Sequence, residues 1–200
     1  NPVRSSLIKS KLEVAKIKKN SPLSKFSLNI LVLGGSLGSE KLNEIISNNI
    51  FFFKKNKIKV IWQCGTNYYE RYKAFENKFV KIFPFLEQID RFYNECDIVI
   101  SRAGALTISE LCIVGKPSIL VPSPNVSENH QFYNAKYLVD RKAAIMIEEK
   151  KINIEFLMHL QKLLESKEIR RQLSKAIYKL ARPNATKEIV LQINNILSNG

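Results

Sequence analysis

The sequence predicts an α/β fold, a doubly wound, Rossmann-like parallel sheet, on three observations. Short apolar runs alternate with stretches of helical spacing from Asn29 to Ile147. The runs are apolar at successive positions instead of every second one, which is how strands read when both faces are covered. Gly-rich or Pro-rich turns close several of the runs, as expected where a strand hands over to a helix.

The elements follow in order. Asn29 to Leu33 is a buried strand ending in glycines. Glu40 to Phe53 has helical spacing, with Leu42, Ile45, Ile46 and Ile50 on one face. Lys57 to Cys64 is a second strand closed by Gly65, Asn67 to Glu76 a helix, and Phe79 to Phe83 a short strand. Ile89 to Glu95 is a helix, Asp97 to Ser101 a strand, and Gly104 to Val114 a helix closed by Gly115. Pro117 to Val121 is a strand, Asn129 to Val139 a helix, and Ala143 to Ile147 a strand. Three helices follow, over Asn153 to Glu165, Lys167 to Leu180 and Asn184 to Leu197, with Pro183 before the last. The organisation read from this is a linker at 1–28, including a basic stretch from Lys9 to Lys25, a domain at 29–182 and a C-terminal helix at 183–200. The chain opens at Asn1-Pro2, which reads as a fragment.

Composition narrows the function classes. No apolar run reaches the roughly 18 residues that span a bilayer. Cys64, Cys96 and Cys112 are widely spaced, odd in number and set among apolar residues. They read as small core residues, and no CxxC or Cys/His cluster suggests a metal. The net charge of +14 has two readings. One is a polyanionic partner such as an anionic membrane surface; the other is compositional drift in a chain rich in Lys, Asn and Ile. The basic residues form no arginine-rich groove with interleaved aromatics, which points away from nucleic acid. Phe51-Phe52-Phe53-Lys54-Lys55 resembles a membrane wedge, but a helix end packed on the core explains it better.

Chemistry concentrates in three loops. Gly34-Gly35-Ser36-Leu37-Gly38-Ser39 follows a strand and opens a helix, where glycines bring backbone close to a ligand and free N–H groups suit phosphate. A tight turn without ligand reads the same way. The spacing is neither GxGxxG nor a P-loop, which weakens dinucleotide oxidoreduction and ATP hydrolysis. The loop from Ser101 through Gly104 opens a second helix, and two such helix starts facing one crevice suit a diphosphate. Glu110 lies farther along that helix. It reads equally as an acceptor for a ribose diol or as a partner of the helix dipole. In the third loop, Val121 to Gln131, prolines stiffen the chain before a cluster of Asn, His and Gln. Those groups suit sugar hydroxyls, and helix capping by Ser127 or Asn129 is the simpler reading. His130 is not assigned as a base, and His159 reads as surface.

Taken in this order, the loops resemble the C-terminal domain of the MurG family of N-acetylglucosaminyltransferases, over nearly the whole chain. The resemblance is carried by Asn1 to Arg4, Gly34 to Gly38, Ser101 to Leu111 and Gly115 to Ala135. It implies the C-terminal half of a two-domain GT-B fold. It further implies an inverting, metal-independent transfer of N-acetylglucosamine from its UDP carrier to a lipid-linked muramyl-pentapeptide; no Asp-x-Asp pair is present. By resemblance, Arg4 and Ser36, with Gly35, meet the diphosphate, and Phe85-Leu86 holds uracil through the Leu86 backbone. Ala105, Leu106 and Thr107 offer main-chain groups to the phosphates, with Ile108 and Ser109 in the same segment. Glu110 takes the ribose hydroxyls, and Gln131 the sugar. His130 stands where many relatives carry a second glutamine, and Leu37 where some have glutamine, so the polar contact there is lost.

The family's acceptor-binding N-terminal domain, expected to supply the general base, has no counterpart in this sequence. The chain is therefore expected to bind the donor without completing transfer alone, as part of a peripheral protein at the cytoplasmic face of a bacterial membrane. No cofactor is implied. Competing readings are another UDP-sugar transferase of this fold, a UDP-sugar epimerase, and a non-catalytic binding half.

Overall fold

The computed structural model describes residues 1–10 and 27–198. Most of the basic stretch expected as a linker, residues 11–26, lies outside the described residues. The elements are α1 (Ser5–Ser10), β1 (Leu28–Leu33), α2 (Glu40–Asn48), α3 (Ile50–Lys55), β2 (Ile58–Gln63), α4 (Tyr69–Tyr72), β3 (Val80–Phe83) and α5 (Ile89–Glu95). They continue with β4 (Ile98–Ser101), α6 (Ala105–Val114), β5 (Ser118–Leu120), α7 (His130–Val139), β6 (Ile145–Met146), α8 (Ile152–Glu165), α9 (Lys167–Tyr178) and α10 (Ala185–Ser198).

The strands form one parallel sheet in the order β3-β2-β1-β4-β5-β6. That order reverses between β1 and β4, the point at which doubly wound sheets open a crevice beyond their carboxyl ends. The expected fold is present, and its cause is visible in β1. Ile30 and Val32 enter a core that also takes Trp62, Phe53 and Phe156. Leu31 and Leu33 enter a second core with Tyr93, Leu111 and Leu120. Successive residues face opposite sides of a strand, so a strand buried on both sides must be apolar throughout. Each Leu or Ile so buried contributes roughly 1.5–3 kcal/mol relative to exposure.

Two helices depart from the sequence expectation. The stretch Glu40 to Phe53 divides at Asn49, whose N–H donates to Ile46 O and whose Nδ2 donates to Ile45 O at 2.7 Å. This cap ends α2 and lets α3 turn Phe53 into the core while Phe51 stays exposed. Between Asn67 and Glu76 the α-helical part is only Tyr69–Tyr72, followed by a 3₁₀ turn at Lys73–Phe75. At the amino end, α1 packs on α5 and α6 with Leu7 buried, so part of the expected linker belongs to the domain. All three cysteines are buried with no disulfide among the described residues, and burial pushes the Cys64 and Cys112 thiols up to about 11. His159 is half-buried.

Candidate functional site

A cleft of about 770 Å³ opens at the carboxyl ends of β1 and β4. Its walls are the loops that follow β1, β2, β3, β4, β5 and β6.

The loop after β1 is held by the end of β2. Gly34 N–H donates to Gln63 O at 3.1 Å and Thr66 N–H to Ser36 O at 3.2 Å. Gly38 and Gly65 meet backbone to backbone: a Cβ on Gly65 would sit 2.1 Å from Gly38 Cα, and both have positive φ. No side chain fits there, which is why both positions are glycine. Gly35 and Ser36 face the cleft and are exposed. Behind them, buried Asn43 accepts from Trp62 Nε1 at 2.9 Å and donates to Cys64 O at 2.8 Å, joining α2 to the turn after β2.

The start of α6 is an open helix terminus beside the cleft. Gly104 is its N-cap and offers no side chain; the first intrahelical bond runs from Ile108 N–H to Gly104 O at 2.9 Å. Among the described residues nothing accepts from the N–H groups of Ala105, Leu106 and Thr107. Leu106, Thr107 and Glu110 share the cleft-facing side of α6. Ile108 and Ser109, named with them in sequence, rotate away by the 3.6-residue period. Ile108 packs against the core and Ser109 Oγ donates back to Ala105 O at 2.9 Å.

Glu110 is 4% exposed. Oε1 accepts from Arg4 Nε at 3.1 Å, and Oε2 accepts from the Tyr93 hydroxyl at 3.2 Å. Burial raises its pKa above the ordinary carboxyl value, with the Arg4 charge and the two hydrogen bonds pulling the other way. Tyr93, buried beside it, is raised well above its ordinary value, chiefly by burial. These partners, more than the helix dipole, explain the position of Glu110. The Nη groups of Arg4 have no partner among the described residues.

The other two walls are braced by amides. Gln131 Oε1 accepts from Ala103 N–H at 3.2 Å and from Ser123 N–H at 3.0 Å. Two backbone donors fix the orientation of that carboxamide, so its Nε2 is the end left for a ligand. Asn134 Nδ2 donates to Ala103 O at 3.0 Å. Leu86 lines the cleft, but its N–H donates to Gln63 Oε1 at 3.1 Å, which leaves the carbonyl as its main-chain group. Arg102 pairs with Glu149 and donates through Nη1 to Val121 O at 3.1 Å, tying together the loops after β4, β5 and β6.

Most of the expected site residues therefore meet in one place: Arg4, Gly35, Ser36, Leu86, Leu106, Thr107, Glu110 and Gln131 all line the cleft. His130 does not. It is exposed on α7, its Nδ1 2.9 Å from Ser127 O, and the carbonyl partner makes that nitrogen the donor. The preceding backbone explains this: Glu128 and Asn129 both adopt positive φ, which starts α7 with His130 turned outward. Capping of α7 by Ser127 or Asn129 is also absent, since no side chain caps it. Sequence reasoning missed Gln63, Tyr93 and Arg102. Gln63 left a trace, a polar residue closing an apolar strand; Tyr93 left none.

Among the described residues no cluster of His, Cys, Asp or Glu could hold a metal ion. No helix among them is long and apolar enough to cross a membrane.

The strand order and the cleft at its switch point define the class, a Rossmann-like half of a GT-B glycosyltransferase. The chain belongs to glycosyltransferase family 28, whose C-terminal domain model matches residues 29–189. It is 44% identical over 199 residues to the UDP-N-acetylglucosamine--N-acetylmuramyl-(pentapeptide) pyrophosphoryl-undecaprenol N-acetylglucosamine transferase of Flavobacterium psychrophilum, covering 96% of this chain and 53% of that protein. The enzyme of the same name from Christiangramia forsetii is 38% identical, covering 100% of this chain and 54% of that protein. The crystal structure of Acinetobacter baumannii MurG superimposes with a TM-score of 0.77 at 30% identity, covering 91% of this chain and 53% of that one. The chain thus spans about half the length of the curated relatives it matches.

Proposed function

We propose that this chain is the donor-binding half of an enzyme that transfers N-acetylglucosamine from UDP-N-acetylglucosamine to a lipid-linked muramyl-pentapeptide. The observation that carries the reading is the pairing, at one cleft, of the unpartnered amides of the α6 start with the buried Glu110 carboxylate. Orphan amides at a helix start favour phosphate oxygens. A carboxylate beside them accepts from ribose hydroxyls, and each Glu110 oxygen retains a lone pair after its bond to Arg4 or Tyr93.

In this reading the uracil lies against Phe85 and the Leu86 carbonyl, the diphosphate against α6 and Ser36, and the sugar against Gln131 Nε2. Arg4 serves two groups at once. Its Nε opposes the burial that raises the Glu110 carboxyl while its Nη groups reach the diphosphate. When the sugar–phosphate bond breaks, negative charge grows on the diphosphate, and the α6 amides and Arg4 stabilise it as it develops. Attack on the oxocarbenium-like sugar from the opposite face inverts the anomeric centre. The general base and the lipid acceptor belong to an N-terminal domain. Residues 29–182 serve as the donor domain, with α1 packed on it from the amino end and α10 following it. The assembled enzyme works peripherally at the cytoplasmic face of the membrane, its basic surface adding attraction to anionic lipid.

Calorimetric titration with UDP-N-acetylglucosamine tests the reading. Glu110→Ala is expected to weaken binding about 10- to 100-fold, the range for losing hydrogen bonds to a charged group. Equal affinity in both proteins would overturn the assignment.

A further inference from the structure

The end of β2 connects the two loops that the proposed reading gives to the base and to the diphosphate. Gln63 is 5% exposed and sits between them. Its Nε2 donates to Gly35 O at 2.9 Å, in the loop after β1. Its Oε1 accepts from Leu86 N–H at 3.1 Å, in the loop after β3. Its own main-chain oxygen accepts from Gly34 N–H at 3.1 Å. Three bonds from one residue therefore fix the Gly-rich loop and the Phe85-Leu86 loop relative to each other. The next residues strengthen the same platform: Cys64 O accepts from Asn43 Nδ2, and Thr66 N–H donates to Ser36 O.

Neither Gly35 nor Leu86 uses a side chain in these bonds. Without Gln63, a buried N–H and a loop carbonyl lose their partners and the two loops are free to drift apart. A ligand that touches only one loop is indifferent to that drift. A ligand that bridges both feels it fully, because the gain from linking two fragments depends on the sites being held at the matching distance.

Building on the UDP-sugar reading, we propose that Gln63 is the positioning residue that sets the spacing between the base subsite and the phosphate subsite, so that a pyrimidine nucleoside diphosphate binds as one unit. Gln63 acts through Gly35 and Leu86 and touches no reacting atom.

The experiment compares fragments with the whole ligand. Dissociation constants of uridine, inorganic pyrophosphate and UDP are measured on the chain and on Gln63→Met and Gln63→Glu, by ligand-observed NMR for the fragments and calorimetry for UDP. Gln63→Met keeps the length and removes both hydrogen bonds; Gln63→Glu keeps the acceptor for Leu86 and loses the donor for Gly35. The expected result for both variants is a UDP affinity down about tenfold, with uridine and pyrophosphate each within about twofold of the unaltered chain. Thermal unfolding run alongside identifies a variant that does not fold, in which case the other variant decides. Unchanged UDP binding in a folded variant would overturn the proposal. So would an equal loss for all three ligands, which is what a merely structural residue produces. Failure of the unaltered chain to bind UDP would instead remove the underlying reading, and this proposal with it.

Discussion

At the start of α2, Ser39 turns its hydroxyl back to accept from Leu42 N–H, and Glu40 adds a carboxylate in the first turn. At the start of α6, Gly104 has no side chain to offer and no acid lies in the first turn. Both helices follow a strand, both border the cleft, and both are preceded by glycine. The sequence alone suggests two equivalent helix termini gripping one diphosphate. The structure makes them unequal: α2 satisfies part of its own terminus, and α6 leaves its first three amides to be satisfied from outside. Other helices, such as α7, also lack a side-chain cap; the α6 start differs in lying on the cleft wall with Glu110 farther along the same helix.

The comparison is broken or sharpened most strongly by Ala105→Pro. Proline is well tolerated at the first position of a helix, and Gly104, with φ −64° and ψ 148°, already has the extended backbone that precedes a proline. The substitution deletes one orphan amide without disturbing the helix. UDP affinity is expected to fall about tenfold with thermal stability unchanged, as read by calorimetry and thermal unfolding. Unaltered affinity would mean that α6 is not the anion site.

Acidification is next in size. The Glu110 carboxyl lies above its ordinary value, chiefly through burial. Only the ionised form accepts from both ribose hydroxyls, so binding of UDP-N-acetylglucosamine should weaken as pH falls through that raised value. The expected loss is several-fold and sets in at a higher pH than the ordinary glutamate value would give. The sign for folding is opposite. Between the ordinary and the raised value, the native state holds a proton that the unfolded chain has released, so raising the pH through that window lowers stability. Calorimetry across the range, beside Glu110→Ala, separates the two; a flat profile would argue against the ribose role.

Much of this is legible in the sequence. Continuous apolar strands gave the sheet because burial on two faces leaves its mark at every position. The segment Ala105 to Glu110 was marked by resemblance as one run, and the helical period then separates Leu106, Thr107 and Glu110 from Ile108 and Ser109. What could not be read depended on partners far along the chain. Tyr93 reaches Glu110 across 17 positions and Gln63 reaches Gly35 across 28 and Leu86 across 23. The division at Asn49 was hidden because Ile50, Phe52 and Phe53 continue the apolar spacing, and only the core decides which of them turns inward. His130 was misplaced because two positive-φ residues before it redirect the helix start, and neither Glu128 nor Asn129 announces that.

A smaller effect comes from giving α6 the cap it lacks. Gly104 has φ −64°, and a Cβ there would meet only Thr107 Oγ1 at 3.8 Å, so Gly104→Ser fits without strain. Its hydroxyl would compete with the ligand for the same amides. A stability gain of a few tenths of a kcal/mol and a loss of about threefold in UDP affinity are expected from unfolding and titration. A gain in affinity would show that the serine joins the site instead of closing it.

The smallest expected change in binding is at the other terminus, and it completes the comparison. Ser39→Ala removes the α2 cap, leaving Leu42 N–H without its 3.3 Å partner in a buried setting. Loss of an N-cap costs about 1 kcal/mol and should lower the melting temperature by a few degrees. Diphosphate binding should stay within about twofold, because the amide released is the one nearest the core and Glu40 keeps its negative charge at that end. Stability moved without binding at Ser39, set against binding moved without stability at Ala105, would establish that one helix start supports the fold and the other serves the ligand. If Ser39→Ala weakened UDP as much as Ala105→Pro, both termini would hold the diphosphate and the asymmetry drawn from the capping pattern would fail.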